Sequence, residues 1–250
     1  MNADRIRSRA PTDESTLRRP LFGSTSRSNC PEMIVTIDGP AGTGKSTVAR
    51  LLAKQLGFAF LDTGSMYRMI ALRSLMQGID PGNAEALEQL TLKSRMELVN
   101  GVIELDGENV EGLIRTAEVT KVASLVAQVP AVRSELVRRQ REIASTNNIV
   151  CEGRDQGTVA FPHAECKFFL TAAPEERARR RQAELLAKGE HVDFEKLLQE
   201  QTARDQRDEV RSVAPLRPAE DAVIVDTTSY TVDEVVRILE RTVRERAASA

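Results

Sequence analysis

Residues 39–47, Gly-Pro-Ala-Gly-Thr-Gly-Lys-Ser-Thr, have the types and spacing to hold a polyphosphate. The pattern is Gly39-x4-Gly44-Lys45-Ser46, a phosphate loop. Glycines let the backbone wrap closely, so that successive N–H groups of Gly39, Pro40, Ala41, Gly42, Thr43 and Gly44 (Pro40 excepted, which has none) line an anion nest. A helix opening near Lys45 adds its positive end. Lys45 supplies a full charge near the β- and γ-phosphates, the Ser46 hydroxyl is placed to ligate Mg²⁺, and Thr47 closes the motif. A Gly-rich turn between a core strand and a helix is the bland alternative. Against it, the apolar run Met33–Ile37 precedes the loop, and Val48, Leu51, Leu52 and Leu56 follow at helical spacing.

A phosphate loop alone leaves a switch GTPase, an ATPase or a small kinase open. The guanine-reading sequence Asn-Lys-x-Asp is absent. Arginine instead recurs at many separate points. In 204–211, Arg204, Arg207, Asp208 and Arg211 fall within about a 100° arc of one helix face, with Asp205 at its edge. A solvated face with internal ion pairs is the alternative. Arg177, Arg180 and Arg181 share a face of the preceding helix and suit a lid over transferring phosphates, because guanidinium is a planar fork that stays charged. Arg68, Arg133 and the pair Arg154-Asp155 complete the set. Each could be a lone surface charge. Together, at the carboxyl ends of parallel strands, they suit a second anionic substrate.

Neither histidine, His163 or His191, lies within these motifs, and no kinase-type catalytic-loop aspartate is present. An alcohol acceptor would call for a base. A phosphate monoester has a second pKa near 6 and arrives largely deprotonated. The difficulty is then repulsion between anions, which arginines and Mg²⁺ relieve. Many arginines without an evident base fit transfer from phosphate to phosphate.

These groups need strand ends to hold them. The spacing predicts strands over 33–37, 58–61, 148–151, 165–170 and 222–225, alternating with helices, which is a parallel α/β sheet. Ser65 is expected to cap a helix reaching Met76. Pro130 and Pro174 open helices, and Thr231 with Glu234 forms a capping box. Residues 95–110 break the rhythm. Asn100-Gly101 and Asp106-Gly107 separate three short alternating runs, predicting a three-stranded antiparallel meander in an insert of about 80–115. Residues 1–31 are rich in Ser, Thr, Arg and Pro and read as a disordered tail. Met33 is a candidate start.

The composition is that of a soluble globular protein, 41% hydrophobic and 29% charged. A net charge of −2 makes no electrostatic case for nucleic acid or an anionic membrane. The three cysteines lack Cys-x-x-Cys spacing and read as reduced thiols of a cytoplasmic protein.

The motifs closely resemble bacterial cytidylate kinases, of the nucleoside monophosphate kinase group. The resemblance runs over 33–245. It rests on Ile37–Thr47, Leu61-Asp62-Thr63-Gly64-Ser65-Met66-Tyr67-Arg68, Glu152-Gly153-Arg154-Asp155 through Pro162, Glu175–Arg181, Arg204-Asp205-Gln206-Arg207-Asp208 and Ala214-Pro215-Leu216. Gln156 departs from the apolar residue usual there. The resemblance implies a phosphate-loop kinase core with a small antiparallel insert and a mobile lid over about 175–192, acting as a monomer in the cytoplasm. It implies transfer of the γ-phosphoryl of Mg-ATP to CMP or dCMP. Gly39–Thr47 would hold ATP. Arg68 and Arg154 would bind the acceptor phosphate, with Thr63 and Tyr67 lining the pocket. Ser124, Arg133 and Asp155 would read cytosine. Asp208 and Arg211 would lie at the sugar. Lys45, Arg181, Arg204 and Arg207 would gather on the transferring group. Kinases of UMP, AMP or an alcohol, and a non-catalytic nucleotide-binding regulator, remain the alternatives.

Overall fold

The computed structural model describes residues 33–99, 102–187 and 189–249. The expected tail, 1–31, lies outside them. From Glu32 onward the chain forms one compact unit. Its centre is a parallel sheet of five strands: β1 (Ile34–Asp38), β2 (Ala59–Asp62), β5 (Ile149–Glu152), β6 (Cys166–Thr171) and β7 (Val223–Asp226). Their order is β2-β5-β1-β6-β7. The order reverses direction at β1, and ligands of open parallel sheets bind off the carboxyl ends at such a point.

Strand alternation sends side chains to two cores. Val35, Ile37 and Val150 join Leu52 of α1 (Lys45–Leu56) and Leu239 of α8 (Val232–Ser249) on one face. Ile149 and Cys151 join the other face. There they meet α2 (Thr63–Met76), α4 (Ala117–Val126) and α5 (Pro130–Ala144). Helix α3 (Ala84–Lys93) shares that second core through Leu87 and Leu90, as do Leu105, Val110 and Ile114. Residues 84–115 therefore have no core of their own. Arg139 of α5 pins them, donating to Ser94 O at 2.5 Å and Thr91 O at 2.8 Å.

The meander has two strands rather than the expected three, β3 (Met96–Val99) and β4 (Val102–Leu105). The Asn100-Gly101 turn lies outside the described residues. Asp106 (φ 53°) and Gly107 (φ 85°) make the second tight turn. Glu108 then forms a single bridge to Leu105. The third run goes no further because the Asn109 side chain accepts from Glu111 N at 2.9 Å, turning the chain away.

Two helix ends also differ from expectation. Helix α2 begins at Thr63, capped by Asp62, whose carboxylate accepts from Ser65 N at 3.0 Å; Ser65 is inside the helix. Helix α6 spans Pro174–Leu186 and α7 spans Phe194–Val210, so Arg211 lies beyond the helix in extended backbone. A π-helix over Gln156–Ala160 follows β5, and periodicity gave no sign of it. Among the described residues, no helix is long and apolar enough to cross a membrane.

Candidate active site

The loop between β1 and α1 adopts backbone that only glycine tolerates well. Gly39 has φ 141°, and a Cβ there would stand 2.1 Å from Leu170 O. Gly42 has φ 81° and packs on the Arg177 side chain. Gly44 caps α1 without a side-chain bond, leaving the first N–H groups of the helix for an anion. Lys45 is buried and arches over the loop, donating to Pro40 O at 2.5 Å. Burial pushes its ammonium down to about 7, and Arg154 and Arg204 push the same way.

Three neighbouring strands end in carboxylates. Asp62, Glu152 and Asp38 close β2, β5 and β1, with Asp62 in register with Glu152 and Ile37 in register with Glu152. All three are buried. Burial pushes Asp38 up to about 7, against hydrogen bonds from Gly157 and Gln156 N–H. Glu152 accepts from the Ser46 hydroxyl, and its carboxyl is raised by burial and by Asp62. Burial would also raise Asp62, but Arg68, Ser65 and Arg115 together outweigh it and hold the group low. Sequence reasoning did not single out these carboxylates. The signal was present, since each apolar run ends in an acid.

Against this row stand the arginines. Arg154 Nε donates to Asp208 Oδ2 at 3.1 Å. Arg68 lies 3.7 Å from Asp62, and Arg115, which the motifs passed over, lies 3.5 Å from it. Arg204 is driven down to about 10 by burial, then by Arg154, and also by Arg68. Its Nε is buried with no hydrogen-bond partner. Lys45, Arg68, Arg154 and Arg204 thus repel one another, a cluster that a polyanion would relieve.

A second group sits deeper. Asp155 is buried and bonded to the guanidinium of Arg133, itself 4% exposed. Arg211 Nη2 lies 3.7 Å from the other Asp155 oxygen. Burial raises the Asp155 carboxyl, while Arg133, Arg211 and Arg154 resist. The Arg133 guanidinium lies over the Tyr67 ring, 5.6 Å from its centroid. Burial pushes the Tyr67 hydroxyl up to about 12. Thr63 donates to Glu152 O at 2.7 Å, linking α2 to the end of β5. Ser124, half-buried on α4, donates to Thr120 O at 3.2 Å.

The remaining candidates are placed differently. Arg177 is buried and paired with Asp205 of α7, and donates to Ala41 O at 3.2 Å. Arg180 is held by Glu176 and by Thr227 O at 2.6 Å. Both brace the base of the α6–α7 hairpin. Arg181 pairs with Glu184 of its own helix at 3.0 Å, and Arg207 is exposed. The structure therefore brings Lys45 and Arg204 together and leaves Arg181 and Arg207 on the hairpin.

A phosphate loop beside two separate arginine clusters, one of them gripping a buried carboxylate, leaves the acceptor to be named by comparison. The family profile described as cytidylate kinase matches residues 35–245. The chain belongs to the cytidylate kinase family. It is 50% identical over 210 residues to the cytidylate kinase of Pelotomaculum thermopropionicum, covering 82% of this chain and 93% of the relative. The cytidylate kinase of Solibacter usitatus is 46% identical over 219 residues, covering 87% and 94%. That of Vibrio cholerae is 49% identical over 207 residues, covering 81% and 92%. Of the motif residues that carry the resemblance, Asp38, Asp62 and Glu152 end neighbouring strands, while Arg181 and Arg207 stand on the α6–α7 hairpin.

Proposed function

We propose that this chain transfers the γ-phosphoryl group of ATP to CMP or dCMP, giving ADP and CDP or dCDP. The observation that carries the reading is the buried Asp155 held by Arg133 and flanked by Arg211, next to Arg154 at the phosphate end. Cytosine offers an N4 amine that suits a carboxylate, and N3 and O2 acceptors that suit Arg133 and Ser124. The acceptor phosphate goes to Arg68 and Arg154, in a pocket lined by Thr63 and Tyr67. Asp208 and Arg211 take the sugar.

Gly39–Thr47 hold the triphosphate of ATP. The Ser46 hydroxyl and the Glu152 carboxylate lie side by side and are hard oxygen donors, which fits Mg²⁺. The ion would neutralise charge on the phosphates as it develops. The acceptor phosphate is already an anion, so its own oxygen attacks in line and no protein base takes a proton. Lys45 and Arg204 then spread the charge of the transferring group. Closing residues 175–192 over the site would bring Arg181 in, towards Arg207 of the adjoining α7, and exclude water. The chemistry requires small-molecule substrates only.

ADP release is to be followed with CMP, dCMP, UMP and AMP in turn, with and without Mg²⁺. Turnover with CMP or dCMP well above UMP and AMP is expected, and chelating Mg²⁺ should stop it. Equal turnover of all four overturns the cytosine assignment. ADP release without any acceptor would instead fit an ATPase.

A further inference from the structure

We infer that Asp38 is a positioning residue that caps the π-helix from another strand and so frees Asp155 to face the base. This rests on the reading of Asp155 as the cytosine-binding carboxylate.

The first N–H groups of a helix have no partner within it. An aspartate at the N-cap position commonly supplies one with its own side chain. Asp155 occupies that position for the π-helix Gln156–Ala160, yet its side chain makes no such bond. Asp38 makes the bonds instead. Its Oδ1 accepts from Gln156 N at 2.9 Å and its Oδ2 from Gly157 N at 2.8 Å. Both oxygens are used, and the group is 4% exposed.

The geometry of β1 aims this carboxylate. Val35 and Ile37 point to the α1 and α8 face, so Thr36 and Asp38 point to the other. The π-helix lies close there: a Cβ on Gly157 would meet Thr36 Oγ1 at 3.0 Å. With the Gln156 and Gly157 N–H groups already taken by Asp38, the first turn of the π-helix does not draw the Asp155 carboxylate onto them. That carboxylate turns to Arg133 and Arg211.

A connection between the two substrates follows. Asp38 directly precedes Gly39, the first residue of the donor loop, yet its hydrogen bonds go to the acceptor segment. Removing it leaves two N–H groups without an acceptor, and Asp155 is the carboxylate nearest in sequence to take them. Asp155 would then turn onto its own helix and away from the base. A change beside the ATP loop would act on CMP.

The test uses the full chain with Asp38→Ala and Asp38→Asn. For Asp38→Ala, KM for CMP should rise about tenfold or more and the CMP-over-UMP preference should fall by a similar factor, as expected for two lost bonds to a carboxylate. KM for ATP should stay within about twofold. Asn keeps one acceptor oxygen and should fall between Ala and wild type. Backbone hydrogen exchange over 155–161 should quicken in both variants, and it needs no substrate. Parallel rises in the KM values for ATP and CMP, or unchanged exchange over 155–161, overturn the inference. If Asp38→Ala does not fold, Asp38→Asn decides on the same measurements. A wild-type chain that ignores CMP overturns the cytidylate reading, while the exchange measurement still decides whether Asp38 caps the segment.

Discussion

Arg154 and Asp208 meet at 3.1 Å across 54 positions of sequence, tying the end of β5 to α7. The contact fixes the Arg154 guanidinium where the proposed acceptor phosphate would meet it, with its charge partly balanced. Arg154→Ala should lower kcat/KM for CMP by about 10²–10³, because a charge-assisted contact to a phosphate is lost. Asp208→Asn keeps the shape but removes the balancing charge and should cost about tenfold. Steady-state kinetics at saturating ATP separates the two. Equal losses for both would mean that the contact of Asp208 with the sugar matters as much as that of Arg154 with the phosphate.

Asp155→Asn should leave ATP binding intact and erase most of the preference for CMP over UMP. An amide can present a donor where the carboxylate presented only acceptors, so the cytosine N4 amine loses its partner. A site that loses a buried hydrogen-bonding match changes its discrimination by about 10² or more. The ratio of kcat/KM values for CMP and UMP measures this directly. A ratio that stays as in wild type would remove Asp155 from base reading.

How much of this could be read from the chain depends on whether the deciding partner is near in sequence. The Gly39–Ser46 loop was legible because its spacing is set by its own backbone. So was the capping box at Thr231, where Glu234 accepts from Thr231 N at 2.8 Å. Helix-face arithmetic grouped Arg177 and Arg180 with Arg181. It could not show that Asp205, Ala41 and Thr227 lie across from the first two. Arg211 was assigned to the face of α7, but the helix ends at Val210 and the extended residue carries it towards Asp155. The π-helix left no periodic signal, since its acceptor, Asp38, stands 118 residues away.

Stability should depend on acid through Glu135. Hydrogen bonds from Arg138, then Arg139, hold its carboxyl down at about 2, below the usual 4.5. A depressed carboxylate stabilises the fold above pH 4.5, and the contribution is lost as pH falls toward 2. Arg138 is exposed, so solvent screens its part and the effect is modest. Glu135→Gln should therefore be less stable than wild type at pH 6, with the difference shrinking between pH 4.5 and 2. Because Arg139 also carries Ser94 O and Thr91 O, the loosening should show first as faster hydrogen exchange in α3. Tm series for both proteins across that range would check it. A constant gap would show that the charge of Glu135 contributes nothing.

The donor side has its own brace in Asp205. One of its oxygens pairs with Arg177 and the other accepts from Ala41 N at 3.4 Å, while Arg177 donates to Ala41 O at 3.2 Å. The pair thus holds both polar groups of one residue in the phosphate loop. It is buried, so removing one partner strands the other charge, at about 3–5 kcal/mol. Asp205→Asn keeps the volume and one acceptor and should cost less than Asp205→Ala. Either change lets the Ala41 segment move, which should raise KM for ATP several-fold and leave KM for CMP nearly unaltered. That is the reverse of the pattern expected at Asp38. Measuring both substrates in Asp38→Asn and Asp205→Asn side by side therefore separates the two braces, and the same pattern in both variants would mean that the site responds as one unit.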